Sequence, residues 1–149
     1  MWPALFSLTN LVAVMGWATL LALPYSTRAR SVVMYGATGL LCLAYAAMLV
    51  GLLGGVEGSP AAMPSYDIAG IRSLFAADGG IVLGWTHYLA FDLFVGIWIA
   101  SDAANKAFPR LVLAPVLVLT FLVGPVGLLV WLAIRERRAR ALARASGTR

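Results

Sequence analysis

The sequence predicts an all-α integral membrane protein: a four-helix bundle with a short interfacial helix in its second loop. Three observations carry this. Of 149 residues, 62% are hydrophobic and 11% are charged, whereas roughly a quarter are charged in an ordinary soluble domain. Four apolar stretches reach the roughly 20 residues that a transmembrane helix needs. Glycine, proline and charged residues separate them. A water-soluble fold of this composition would expose apolar patches large enough to aggregate. A soluble enzyme, a disordered tail and a disulfide scaffold are thereby excluded, and the length fits a single domain.

The first stretch covers residues 3–23 and is closed by Pro24. No positive region precedes it, its first charge is Arg28, and no A-x-A-like exit follows. It is therefore expected to stay in the mature protein rather than leave as a signal peptide. The second covers 32–53 and ends before Gly54-Gly55. Cys42, the one cysteine, lies in it, which excludes disulfide frameworks and cysteine-rich metal sites. The second loop, 55–79, is the longest. Within it, residues 67–78 place Ile68, Ile71, Leu74 and Phe75 on one helical face, with Arg72 and Ser73 elsewhere. That pattern reads as a short helix lying in the interface or capping the bundle, with a loop as the alternative. The third stretch covers 80–100 and the fourth 111–134. In the fourth, Gly124-Pro125 should bend the helix and free the carbonyl of Phe121, and Pro115 should do the same for Leu111. Kinking for its own sake is weighed against freed carbonyls that line a ligand cavity. Gly51-x-x-x-Gly55, Gly80-x-x-x-Gly84 and the Gly96, Ala100, Ala104 ladder would let helices approach closely.

The net charge of +5 is concentrated at one end. From Arg135 onward there are six arginines and one acid, Glu136, whereas the basic and acidic residues before it cancel. This divides the chain into a four-span domain, 1–134, and a basic tail, 135–149. A terminal basic patch beside a span is an orientation signal that also meets anionic lipid, not a distributed nucleic-acid surface. Four crossings would put both termini on one side. Arg72 and the tail arginines there outnumber Arg28, Arg30, Lys106 and Arg110 opposite, which favours the termini inside. Arginine far outnumbers lysine, a hint of a GC-rich bacterial genome. The expected location is a bacterial inner (cytoplasmic) membrane, as a multi-pass protein.

The third stretch carries the residues of chemical interest. It reads Gly84-Trp85-Thr86-His87-Tyr88-Leu89-Ala90-Phe91-Asp92-Leu93-Phe94-Val95-Gly96. His87 and Asp92 both fall within about one helical turn of its centre. An ionised carboxylate there costs about 2.5–3.5 kcal/mol on the insertion scale. No Arg or Lys lies inside any stretch, so Asp92 must be protonated, hydrogen-bonded or paired with an imidazolium. Five residues at about 100° each put the two side chains about 140° apart, so they do not meet on a straight helix. Trp85 and Tyr88 lie near the Asp92 face, and Asn10 is the best polar partner from another helix. An interhelical brace is the bland reading of Asp92 and Asn10. Asp78 and Asp102, at the ends of the stretch, are expected to be solvated. One His and one in-span acid do not make a metal site, and no phosphate, dinucleotide, HExxH or serine-elbow motif occurs. No metal and no cofactor are expected.

These residues resemble the membrane protein family of the plant abscisic-acid-deficient-four protein and its bacterial and algal relatives. Leu5-Phe6-Ser7-Leu8-Thr9-Asn10, Gly16-Trp17 and Pro24 look like the family's first span. Trp85 through Gly96 is similar to its most distinctive motif, continued by Ile97-Trp98-Ile99 and Asp102-Ala103. Thr120-Phe121 and Gly124-Pro125-Val126-Gly127-Leu128-Leu129 look like the last span. Where the plant motif has Gly-Arg-Trp-Ile, this chain has Gly96-Ile97-Trp98-Ile99.

The resemblance implies carotenoid metabolism, since the plant member is needed to form neoxanthin from violaxanthin. It supplies no established catalytic residues. Forming an allenic alcohol from an epoxycarotenoid is an isomerisation that needs a proton donor and a base but no redox cofactor. Asp92 as acid and His87 as base would divide those roles. Asn10, Trp85, Tyr88 and Trp98 would then contact the substrate. Two function classes stay open: a carotenoid isomerase or related converting enzyme, and a non-catalytic carotenoid-binding or scaffold protein that assists a partner enzyme. The partners expected are a carotenoid or other polyene lipid, the membrane, and a second copy or partner enzyme.

Overall fold

The computed structural model describes residues 1–55, 65 and 67–146. They form five helices: α1 (Trp2–Ala22), α2 (Thr27–Leu53), α3 (Ile68–Leu74), α4 (Asp78–Asn105) and α5 (Arg110–Ser146). No strand occurs among the described residues. All but α3 are long and apolar enough to cross a membrane, so the all-α membrane bundle stands. Residues 56–64 of the second loop and Arg149 of the tail lie outside the described residues, as do the side chains of Arg138 and Arg144.

Local chemistry sets the helix ends. Pro3 opens α1, where a missing N–H costs nothing. The last carbonyls of α1, Leu21 and Ala22, accept from the Arg110 guanidinium at 2.7 and 3.2 Å. Ser26 caps α2 by accepting from the Ala29 amide. That helix therefore starts earlier than the apolar stretch, and it ends where Gly55 takes φ 78°. Between Val33 and Thr38 it widens into a π turn.

α3 confirms the amphipathic segment and gives it the capping role. Asp67 accepts from the Gly70 amide at 2.7 Å and starts the helix. Leu74 and Phe75 lie over Gly80 and Gly84 of α4, while Ile68 and Ile71 stay exposed. The Gly80/Gly84 pair thus receives the loop helix rather than another span.

α4 is the central helix. Half of its span is buried, against a third of α1 and less of α2 and α5. Lipid tails are as apolar as leucine, so close packing rather than water exclusion must hold such a bundle. The Trp17 ring of α1 packs against Gly96, where a Cβ would come 2.5 Å from it, and Leu93 fills the space over Gly16. Leu93, Ile99, Leu113, Leu117 and Trp131 complete the core. Leu43, Val50, Leu122 and Leu129 face outward, as lipid contact requires.

The fourth apolar stretch does not run straight. Val123 leaves helical geometry (φ −146°, ψ 64°) and the chain reverses there. Two contacts establish the reversal. The Phe108 and Trp131 rings lie 4.8 Å apart, although 23 residues of straight helix would separate them by about 35 Å. Arg135 meets Asp102 of α4 at 2.8 Å. Thr120 and Gly127 cross so tightly that a Cβ on Gly127 would sit 2.4 Å from the Thr120 nitrogen. α5 is therefore a helical hairpin, with an outgoing arm before Val123 and a return arm after it. The outgoing arm is about 20 Å long, short of the about 30 Å of bilayer hydrocarbon, and the return arm covers the same height by Arg135 before it continues into the tail. The bend expected at Gly124-Pro125 is real but far sharper than a kink. It brings the start of the tail back to the 106–109 loop, opposite Met1, and so overturns the expectation of both termini on one side. The return arm stays helical through Ser146.

Candidate functional site

The hairpin tip meets the middle of α4 at Asp92. A Cβ on Gly124 would lie 2.2 Å from Asp92 Oδ1, so only glycine lets the carboxyl rest on the tip backbone. Gly124-Pro125 also begins the return arm. The Tyr88 hydroxyl, one turn before Asp92, interacts with both the carboxyl and the Gly124 amide. Asp92 Oδ2 is nonetheless buried with no hydrogen-bond partner. Irregular backbone at this depth is tolerated only where protein or a cavity encloses it.

A strip of polar and aromatic groups leads away from Asp92. Trp85 and Tyr88 pack with ring centroids 5.5 Å apart. The Trp85 indole donates to Asn10 Oδ1 at 3.1 Å, and Phe6 covers its other side at 5.8 Å. Asn10 Nδ2 donates in turn to the Phe6 carbonyl at 2.7 Å. Trp85 thus meets α1 and Tyr88 meets the tip of α5, so the strip lies in the seam between those helices. The structure brings Asn10, Trp85, Tyr88 and Asp92 into one run. It also corrects one pairing: Asn10 braces Trp85 rather than Asp92.

His87 faces elsewhere. Its ring stacks on Phe91 at 4.6 Å and approaches Tyr45 of α2 at 5.5 Å. It is exposed on the α2 side of α4. The 140° offset read from the sequence is realised, and the two titratable side chains look into different seams.

Trp98 is not in the strip either. The Arg135 guanidinium lies over its ring, 5.4 Å from the centroid, at a polar hub that the sequence reading missed. Asp102 is that hub. Its carboxylate accepts from Lys106, from Arg135 Nε at 2.8 Å and Nη2 at 3.2 Å, and from the Trp131 indole at 3.1 Å. Only 11% of the Asp102 side chain is exposed, which overturns its expected solvation. Arg135, grouped with the tail from sequence, is a bundle residue. Lys106 at i,i+4 was the one legible partner. Nothing in sequence spacing points to a residue 33 positions away once a reversal intervenes. Among the described residues no group of three or more His, Cys, Asp or Glu converges to hold a metal ion.

Against this geometry stand the comparisons. A family model described as ABA DEFICIENT 4-like matches residues 4–131, which takes in the strip, the hairpin tip and the outgoing arm. No curated protein and no solved structure matches the chain.

Proposed function

The chain belongs to the ABA DEFICIENT 4-like family, and on that premise we propose that it converts a carotenoid at Asp92, within the bilayer. The family ties the chain to carotenoid and xanthophyll metabolism; the reaction and its residues are our reading. The observation that carries it is the carboxyl at the hairpin tip, with Oδ2 left without a partner in a protein interior. Buried polar groups are normally satisfied, and one that is not calls for an explanation. A substrate oxygen is the explanation we favour.

The chemistry balances on few groups. The Asp92 carboxyl gives its proton to the oxygen of a ring epoxide as the C–O bond opens. A proton leaves the neighbouring vinylic carbon, and its C–H electron pair forms the cumulated double bond. His87 was the base expected from the sequence. With His87 in the other seam, the Asp92 carboxylate is the nearer acceptor and regains its proton. No electrons enter or leave the overall isomerisation. Tyr88 orients the carboxyl, Trp85 and Asn10 flank the polyene, and entry is along the α1–α5 seam from lipid. Trp98, fixed under Arg135, serves the fold rather than the substrate.

One observation favours the second reading, a non-catalytic carotenoid-binding or scaffold protein: among the described residues, Tyr88 of the same helix is the one titratable side chain that acts on Asp92. Expression in cells that make an epoxidised carotenoid, followed by chromatographic pigment analysis, separates the two. Conversion by the parent and none by Asp92→Asn, with pigment still copurifying, supports the catalytic reading. Equal conversion by both proteins removes Asp92 from the chemistry. Copurification without conversion by the parent leaves the binding reading.

A further inference from the structure

The hairpin redraws the charge map of the molecule. Four straight crossings would put Arg28, Arg30, Lys106 and Arg110 on one side and Arg72 with the tail on the other. The reversal at Val123 instead carries the return arm back to the first group. Three contacts tie the separate segments into one end of the bundle. The Tyr25 hydroxyl donates to the Phe108 carbonyl at 2.7 Å. The Arg110 guanidinium donates to the Leu21 carbonyl at 2.7 Å. Arg135 of the return arm donates to Asp102 at 2.8 Å. Arg28 and Arg30 at the start of α2, Lys106 and Arg110 at the turn into α5, and Arg135, Arg137 and Arg140 on the return arm therefore share this end. Among the described residues, the end around α3 sets Asp67 and Asp78 against Arg72 and has no cationic excess.

Little at the basic end neutralises these cations. Asp102 is shared by Lys106 and Arg135, and Glu136 pairs with Arg140. Arg30 and Arg110 turn N–H groups to neutral carbonyls, those of Pro24 and of Leu21 and Ala22. Arg28 and Arg137 are exposed. Among the described residues no carboxylate pairs with Arg28, Arg30, Arg110 or Arg137. Two acids thus face seven cations, and the missing counter-charge has to come from outside the chain. Tyr25 and Trp98 stand beside them, 39% and 38% exposed, as amphipathic rings do at headgroup level.

We propose that this end of the bundle is a docking surface for the phosphate headgroups of anionic phospholipid. The same excess orients the chain. Cytoplasmic segments beside membrane spans carry the surplus of Lys and Arg, and the cytoplasmic leaflet has the negative surface potential. The mouth of the hairpin and the tail therefore face the cytoplasm, and α3 lies on the other side. The inference rests on the reversal at Val123 and on charge, and it is independent of Asp92 and of any carotenoid.

The test titrates the full chain, in detergent micelles, with phosphatidylglycerol, phosphatidylcholine and inorganic phosphate, and reads the bound species by native mass spectrometry. Phosphatidylglycerol should bind at least about fivefold more tightly than phosphatidylcholine, since one cation near an anionic surface is worth about 1 kcal/mol. The preference should shrink as salt is raised. Arg28→Gln combined with Arg137→Gln removes two cations that have no ion-pair partner. It should weaken phosphatidylglycerol by about fivefold or more and leave phosphatidylcholine unchanged. Arg72→Gln, at the other end, should change neither. Equal binding of the two lipids, or a preference that the double variant keeps in full, overturns the docking surface. A matching loss in Arg72→Gln places the lipid at the other end and overturns it too. Inorganic phosphate that binds as tightly as phosphatidylglycerol overturns lipid as the occupant. In intact host cells, a membrane-impermeant maleimide should label Ala76→Cys and not Ala107→Cys, each in a Cys42→Ser background. The reverse pattern overturns the orientation.

Discussion

Asp92 and Asp102 stand ten residues apart on the same helix, and both touch the α5 hairpin, yet they are opposites. Asp102 meets one cation and an indole of the return arm, together with Lys106 four residues on, and every contact is made by side chains. Asp92 meets the tip through glycine backbone and one phenol, and one of its oxygens has no partner. Removing one member of a buried charged pair is costly because the other is stranded. A carboxyl that is already under-partnered has little such cost. Asp102 therefore ties the return arm to α4, whereas Asp92 keeps a buried oxygen without a partner. The difference follows from depth: cations reach the mouth of the bundle, where the apolar stretches end, and none reaches its middle.

The comparison presumes the reversal at Val123, so the largest effect to test is topological. In a Cys42→Ser background, single cysteines introduced at Ala107 and at Arg140 should react with a membrane-impermeant maleimide from the same side, and one at Met1 from the other. Labelling of the first two from opposite sides would mean that α5 crosses, and the pairing of Asp102 with Arg135 would fall with it.

The next effect is on stability. Asp102→Ala strands Arg135, Lys106 and the Trp131 indole. The penalty for breaking a fully buried pair is about 3–5 kcal/mol, and solvent reaches part of this one, with 31% of the Arg135 side chain exposed. A loss of about 2–3 kcal/mol is expected in reversible unfolding in detergent, with the C-terminal arm gaining protease sensitivity. An Asp102→Ala protein as stable as the parent would make the hub ornamental.

A smaller loss should follow at the tip. Gly124→Ala drives a methyl into the Asp92 carboxyl, and overpacking of this kind costs about 1–3 kcal/mol. Asp92→Ala alone should cost less than Asp102→Ala. In the double variant, the Asp92 truncation should recover most of the Gly124→Ala penalty, because the clash is with that carboxyl. Additive losses would place the constraint on Gly124 elsewhere, in the hairpin backbone.

How much of this was legible beforehand depended on sequence distance. The four apolar helices, the short amphipathic α3 and the opposed faces of His87 and Asp92 follow from local periodicity and local chemistry. Gly124-Pro125 announced a bend, but a bend and a reversal have the same local signature. Which one forms depends on whether Trp131 and Arg135 find partners on α4, and that is a tertiary matter. The Asp102 hub was hidden for the same reason, and so was the pairing of Asn10 with Trp85. The π turn was invisible because nothing in Val33 through Thr38 marks it in the sequence.

A third carboxylate completes the series and should give the smallest effect. Asp67 lies outside the spans and caps α3. The Ser65 hydroxyl, first, and the Gly70 amide hold its carboxyl below the usual aspartate range. A folded value below the unfolded one means that the stabilisation is fully present above the ordinary aspartate pKa of about 3.9. It is lost as the pH falls through the folded value. Hydrogen exchange at the amides of Gly70 and Ile71 should therefore speed up in the acid range, with that transition absent in Asp67→Asn. Global unfolding should barely respond, because α3 is a short exposed cap that rests on Gly80 and Gly84. If acid instead released the hairpin at the same pH, the titrating group would be Asp102, and the ranking of the three carboxylates would have to be redrawn around the mouth of the bundle.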